Sequence, residues 1–105
     1  MCTSIVFSPK DHYFGRNLDL EISFCQEVVI TPRNYNFKYR RMPDMKQHYA
    51  LIGIALVADE YPLYFDAANE KGLGMAGLNY PDNFKAFDVQ EGKDNVTTFE
   101  FIPWF

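Results

Sequence analysis

The chain predicts an α+β fold, mostly antiparallel strands with one helix starting near the C-terminus. Three observations carry this. Short β-branched or alternating apolar segments recur from Thr3 to Leu78, separated by turn signals. A helix-start motif, Thr97-Thr98-Phe99-Glu100, comes only at the end. The 105 residues are 48% hydrophobic and 17% aromatic, which suits at most one packed domain and excludes a disordered tail.

Thr3-Ser4-Ile5-Val6-Phe7 is β-branched and reads as a strand, and Ser8-Pro9-Lys10-Asp11 as a turn. His12-Tyr13-Phe14-Gly15 is then the return strand of a hairpin, which brings Arg16 to Asp19 back to the amino terminus. Glu27 to Thr31 is a strand stopped by Pro32. From Arg33 to Arg41 the residues alternate: Tyr35, Phe37 and Tyr39 against Asn34, Asn36, Lys38 and Arg40. Period two predicts a half-exposed strand with a solvated basic face, in preference to a nucleic-acid patch.

Tyr49 to Ala58 is the most apolar run and predicts a strand covered on both faces, with a buried helix as the alternative. Leu63 to Asp66 is a further short strand, and Asn69-Glu70-Lys71-Gly72 a turn. Gly74 to Pro81 is small, then polar, as where a backbone or ligand comes close. A polar, acidic stretch follows from Phe84 to Asn95. Thr97 and Glu100 then form a capping box, with Val96 and Phe101 at the staple positions. The helix they begin has barely two turns before Phe105, so the domain is expected to continue beyond it.

The net charge of −4 argues against nucleic acid as a partner. No apolar run reaches the length of a membrane span, and no signal peptide opens the chain, so the expected location is cytoplasmic with no membrane partner. Cys2 and Cys25 do not make a disulfide framework, and a reducing cytosol disfavours a bridge between them. His12 and His48 make no metal pattern with them, so neither metal nor other cofactor is expected.

Cys2 follows the initiator Met1, and removal of that methionine would put a thiol and a free α-amine on one residue. Such groups ordinarily ionise near pH 8.5 and pH 7.7–8.0 respectively, so both exchange protons near neutrality. A nucleophile with an attached base needs no histidine. Alone, Cys2 favours an ordinary cysteine at position 2. A dyad with His12 is conceivable but ranks below the amine. Arg16 and Asp19 alone read as a solvated ion pair, and Asn79 as the opening of a turn.

Together the motifs change that reading. Met1-Cys2-Thr3, Phe14-Gly15-Arg16-Asn17-Leu18-Asp19, Tyr61-Pro62-Leu63-Tyr64-Phe65-Asp66, Asn69-Glu70-Lys71-Gly72-Leu73 and Ala76-Gly77-Leu78-Asn79-Tyr80-Pro81 resemble, in order and spacing, the conjugated bile salt hydrolases (choloylglycine hydrolases) of gut Gram-positive bacteria. These are relatives of penicillin V acylase. The resemblance implies an N-terminal nucleophile hydrolase of αββα sandwich architecture, of which residues 1–105 are the N-terminal part of a single domain. It also implies a homo-oligomer, a tetramer in full-length relatives.

By the same resemblance, Cys2 matches the nucleophile and Arg16 the arginine that favours its thiolate. Asp19 matches the aspartate orienting the amine, and Asn79 the oxyanion donor. Leu18, Ala58 and Phe65 match residues lining the steroid pocket. The implied reaction is hydrolysis of the amide in glycine- or taurine-conjugated bile salts. A tyrosine usually replaces Asn79 in penicillin V acylases, so that substrate, or an N-acyl homoserine lactone, is the alternative. Full members are much longer, with a second oxyanion asparagine and a second arginine in the part absent here. The chain alone is therefore expected to have little or no hydrolase activity. A non-catalytic piece that self-associates through its aromatics is the remaining alternative.

Overall fold

The computed structural model describes residues 2–80 and 82–105. Two antiparallel sheets and a short helix make up the architecture. β1 (Thr3–Phe7) and β2 (Tyr13–Asn17) form a hairpin in which Thr3 pairs with Asn17 and Phe7 with Tyr13. β3 (Glu27–Thr31), β4 (Leu51–Ala58), β5 (Tyr61–Asn69) and β6 (Gly74–Ala76) form a second sheet in that order. α1 (Phe101–Trp104) closes the chain.

One face of the second sheet is the core. Leu51 and Ala55 of β4, and Tyr64 and Ala67 of β5, meet Phe37 and Tyr39 from the long β3–β4 connection and Ile102 from α1. Phe37 is fully buried, edge-on to Tyr35 and Tyr61. The Tyr64 hydroxyl shares a hydrogen bond of 2.7 Å with Thr31 Oγ1, which satisfies both, whereas the Tyr61 hydroxyl beside them in the core has no hydrogen-bond partner among the described residues.

The segment predicted as a strand over Arg33–Arg41 is not one. Its alternation of burial is real, because Phe37 and Tyr39 turn inward. Its backbone has only an isolated bridge, with Phe37 N–H donating to Met45 O at 3.0 Å and Met45 N–H to Phe37 O at 2.9 Å. Period two reported which side chains are buried, not whether a neighbouring strand is present.

β4 is a strand, as its β-branched content predicts, but only one of its faces is covered. Ile52 is exposed, as are Val28 (65%) and Ile30 (69%) beside it on β3. Thr97–Glu100 forms a turn ahead of α1 rather than its first turn. Half of the capping box is present, with Glu100 Oε2 accepting from Thr97 N–H at 3.0 Å.

The first hairpin lies across the β5–β6 edge on the side opposite the core. Phe14 packs so closely over Gly74 that a Cβ there would stand 3.0 Å from its ring. A bulge in β5 sets the local geometry: Ile54 pairs with Asp66 but Ala55 with Tyr64, leaving Phe65 as the extra residue.

Candidate active site

Cys2 lies just before β1, half-buried, at the open end of the hairpin. The pairing of Ser4 with Arg16 puts both on one face of the ribbon. Alternation extends that face to Cys2 and to Leu18, making Cys2 and Arg16 diagonal cross-strand neighbours. The chain runs on from β2 to Asp19, and the Cys2 Sγ–H points at the Asp19 backbone carbonyl at 3.9 Å. Thr3 N–H donates to Asn17 Oδ1 at 2.5 Å, which fixes the chain immediately after Cys2.

Arg16 turns inward. Its side chain is 6% exposed; Nη2 donates to Gly77 O at 2.7 Å, and Nη1 lies 3.5 Å from Asp66 Oδ2. Nε and Nη1 have no hydrogen-bond acceptor among the described residues. A buried guanidinium with donors to spare thus lies on the same face of the ribbon as the Cys2 thiol.

Of the other candidates, Phe65 joins the same region through the bulge. Its carbonyl accepts from Gly77 N–H at 2.8 Å, and its ring stands 6.4 Å from that of Phe24. Leu18 is half-buried next to Asp19. Asn79 is exposed, two residues beyond the Gly77 carbonyl that holds Arg16. Ala58 is exposed at the far end of β4, opposite Tyr61, on the face of Ile54 but four residues along the strand from it.

His12 is not a partner for Cys2. Its Nδ1 lies 2.7 Å from Ser8 Oγ at the closed end of the hairpin. Five residues of strand separate the two ends, roughly 17 Å. Both cysteines are free. A hollow of about 650 Å³ lined by Arg33, His48, Tyr49 and Lys71 involves none of these site residues. Among the described residues no three acidic, histidine or cysteine side chains cluster as metal ligands, and no helix is long and apolar enough to cross a membrane.

Asp66 ends the Tyr61–Asp66 motif, and its sequence context alone does not point to Arg16. The available signal was an acidic residue closing an aromatic strand, where burial requires a cationic or N–H partner. Here it has both, since Oδ1 accepts from Ile54 N–H at 3.1 Å.

Residues 2–105 match the linear amide C–N hydrolases, choloylglycine hydrolase family. The bile salt hydrolase/transferase of Lactiplantibacillus plantarum is 48% identical over 99% of this chain and 32% of its own length. The conjugated bile acid hydrolase of Lactobacillus gasseri is 43% identical over 99% and 34%. The crystal structure of the C2A mutant conjugated bile acid hydrolase from Clostridium perfringens superposes with a TM-score of 0.88 at 38% identity, covering 100% of this chain and 33% of that one. The chain thus spans about a third of the length of these relatives, with the antiparallel sheets and short helix of their fold. A matching family over nearly every residue, and one shared fold, make this chain a member of the choloylglycine hydrolase family.

Proposed function

We propose that the chain carries the nucleophile of an amide hydrolase that cleaves glycine- or taurine-conjugated bile salts. The observation that supports it most is the hairpin's open end, where Cys2 meets Asp19 and shares a face with the buried Arg16. The relatives' names supply the substrate class.

In this mechanism the Cys2 sulfur attacks the amide carbonyl, with the α-amine, freed by removal of Met1, accepting the thiol proton. Met1 and Pro81, within the motifs of the resemblance, lie outside the described residues. The tetrahedral oxyanion takes a hydrogen bond from Asn79, a type of contact worth about 3 kcal/mol in other enzymes. The amine returns its proton to the leaving glycine or taurine nitrogen as the C–N bond breaks. Water then hydrolyses the thioester and releases the bile acid and the thiol. Arg16 favours the anionic sulfur, Asp19 orients the amine, and Leu18, Phe65 and Ala58 line the steroid side. Residues 1–105 are the N-terminal part of one domain, working in a cytoplasmic homo-oligomer.

The test is a chimera joining residues 1–105 to the remaining two thirds of the Lactiplantibacillus plantarum relative. Glycocholate hydrolysis should exceed that of the same chimera carrying Cys2→Ala by at least about a hundredfold. Penicillin V in parallel should be turned over more slowly. A chimera that melts like the relative yet shows no Cys2-dependent hydrolysis would sink the proposal.

A second reading, association of the chain with itself, is favoured by one observation: the outer face of β3 and β4 is apolar and exposed at Val28, Ile30 and Ile52.

A further inference from the structure

We infer that Asp66 is a positioning residue that holds the Arg16 guanidinium on the Cys2 side of the hairpin; this rests on the reading of Arg16 and Cys2 just given. Three features build the hold. The β5 bulge at Phe65 shifts the register by one residue and presents Asp66 to the face on which the hairpin lies. Asp66 is anchored at one oxygen by Ile54 N–H, leaving Oδ2 to face Arg16 Nη1 at 3.5 Å. The Gly77 carbonyl, held over the bulge by its own N–H donating to Phe65 O, takes Nη2 at 2.7 Å.

Both charged side chains are largely buried, Arg16 at 6% and Asp66 at 13% exposure. The guanidinium thus donates to Gly77 O through Nη2 and is ion-paired with Asp66 through Nη1, while among the described residues neither Nη1 nor Nε has a hydrogen-bond acceptor. An arginine on a flexible stem would otherwise sample rotamers that swing its charge into water. Fixing it costs side-chain entropy during folding, not during reaction.

Charge alone and positioning make opposite forecasts. If Asp66 acted only through its charge, removing that charge would leave Arg16 more effective and make Cys2 a thiolate more readily. If Asp66 positions Arg16, removing it lets the guanidinium leave and makes the thiolate harder to form.

The experiment alkylates the chain with iodoacetamide across pH, resolving Cys2 from Cys25 by peptide mass, with exposed Cys25 as internal reference. Asp66→Asn can still accept from Ile54 N–H but offers an amide to Arg16. It should move the Cys2 profile upward by about half a pH unit or more, slowing alkylation at pH 7 about threefold. Asp66→Glu should restore most of the original profile. Arg16→Gln should move it at least as far, and the double variant no further than Arg16→Gln alone. If Asp66→Asn does not fold, Asp66→Ser, whose hydroxyl can accept from Ile54 N–H, reads the same shift. A profile unmoved or lowered by the Asp66 variants, with Arg16→Gln still raising it, overturns the positioning role and leaves the reading of Arg16 standing. An unmoved Arg16→Gln profile overturns both.

Discussion

Glu100, only 4% exposed, keeps its charge inside the protein because its oxygens are occupied: Oε1 accepts from Arg40 N–H at 2.8 Å and Oε2 from Thr97 N–H at 3.0 Å. Burial pushes its carboxyl up, but the hydrogen bonds from Thr97 and Arg40 outweigh this and hold it below the usual range. The same negative charge acts on its tyrosine neighbours. Burial first, then Glu100, pushes Tyr61 up to about 12, and burial with Tyr61 and Glu100 raises Tyr39 as well. In the unfolded chain a tyrosine ionises near pH 10. The folded state therefore retains these protons longer, and their contribution is complete below pH 10 and is lost as pH rises toward about 12. Phenolate absorbance should show tyrosines titrating late and together with unfolding; a smooth titration of all seven near pH 10 by a still-folded chain would contradict this.

At the scale of the element, β4 and β5 depend on one missing side chain. A Cβ at Gly53 would sit 2.0 Å from Asp66 O and 2.7 Å from Ala67 Cα, both backbone atoms that cannot turn aside. Gly53→Ala should prise the central strand pair apart, costing more than about 4 kcal/mol or preventing folding outright, as urea denaturation would read. A loss under about 1 kcal/mol would show that the strands separate easily. The strand itself was legible from its β-branched run, and the hairpin from Ser8-Pro9 between two apolar stretches. The Arg33–Arg41 segment misled because a buried loop with aromatics at every second residue looks like a strand until its backbone partners are known. The bulge at Phe65 was not legible either. An extra residue in a ladder is a property of two strands, and neither sequence alone carries it.

For the whole molecule, the balance between covered and open apolar surface decides behaviour. The core face of the four-stranded sheet is sealed, while Val28, Ile30 and Ile52 on the other face, and Ile5 and Phe7 on the hairpin, meet water. The isolated 105-residue chain should associate with itself as its concentration rises, seen as a growing weight-average mass in sedimentation equilibrium. Val28→Lys with Ile30→Lys should reduce that association. A constant monomer mass at tens of micromolar would count against it. The candidate set was legible chiefly through resemblance: Cys2, Arg16 and Asp19 are close in sequence, and one hairpin brings them to one end. Asp66 on β5 and Gly77 beyond β6 are distant in sequence, and their contacts with Arg16 arise only when the hairpin crosses the β5–β6 edge.

That hairpin behaves as a ruler. The offset between sulfur and guanidinium is counted in whole pleats from the Thr3–Asn17 rung, so its length is indifferent to whatever joins Phe7 to Tyr13. Residues added at Ser8–His12 would lengthen a surface turn and leave the spacing intact. One residue added between Thr3 and Phe7 would invert the ribbon's sidedness and turn the thiol away from its cation.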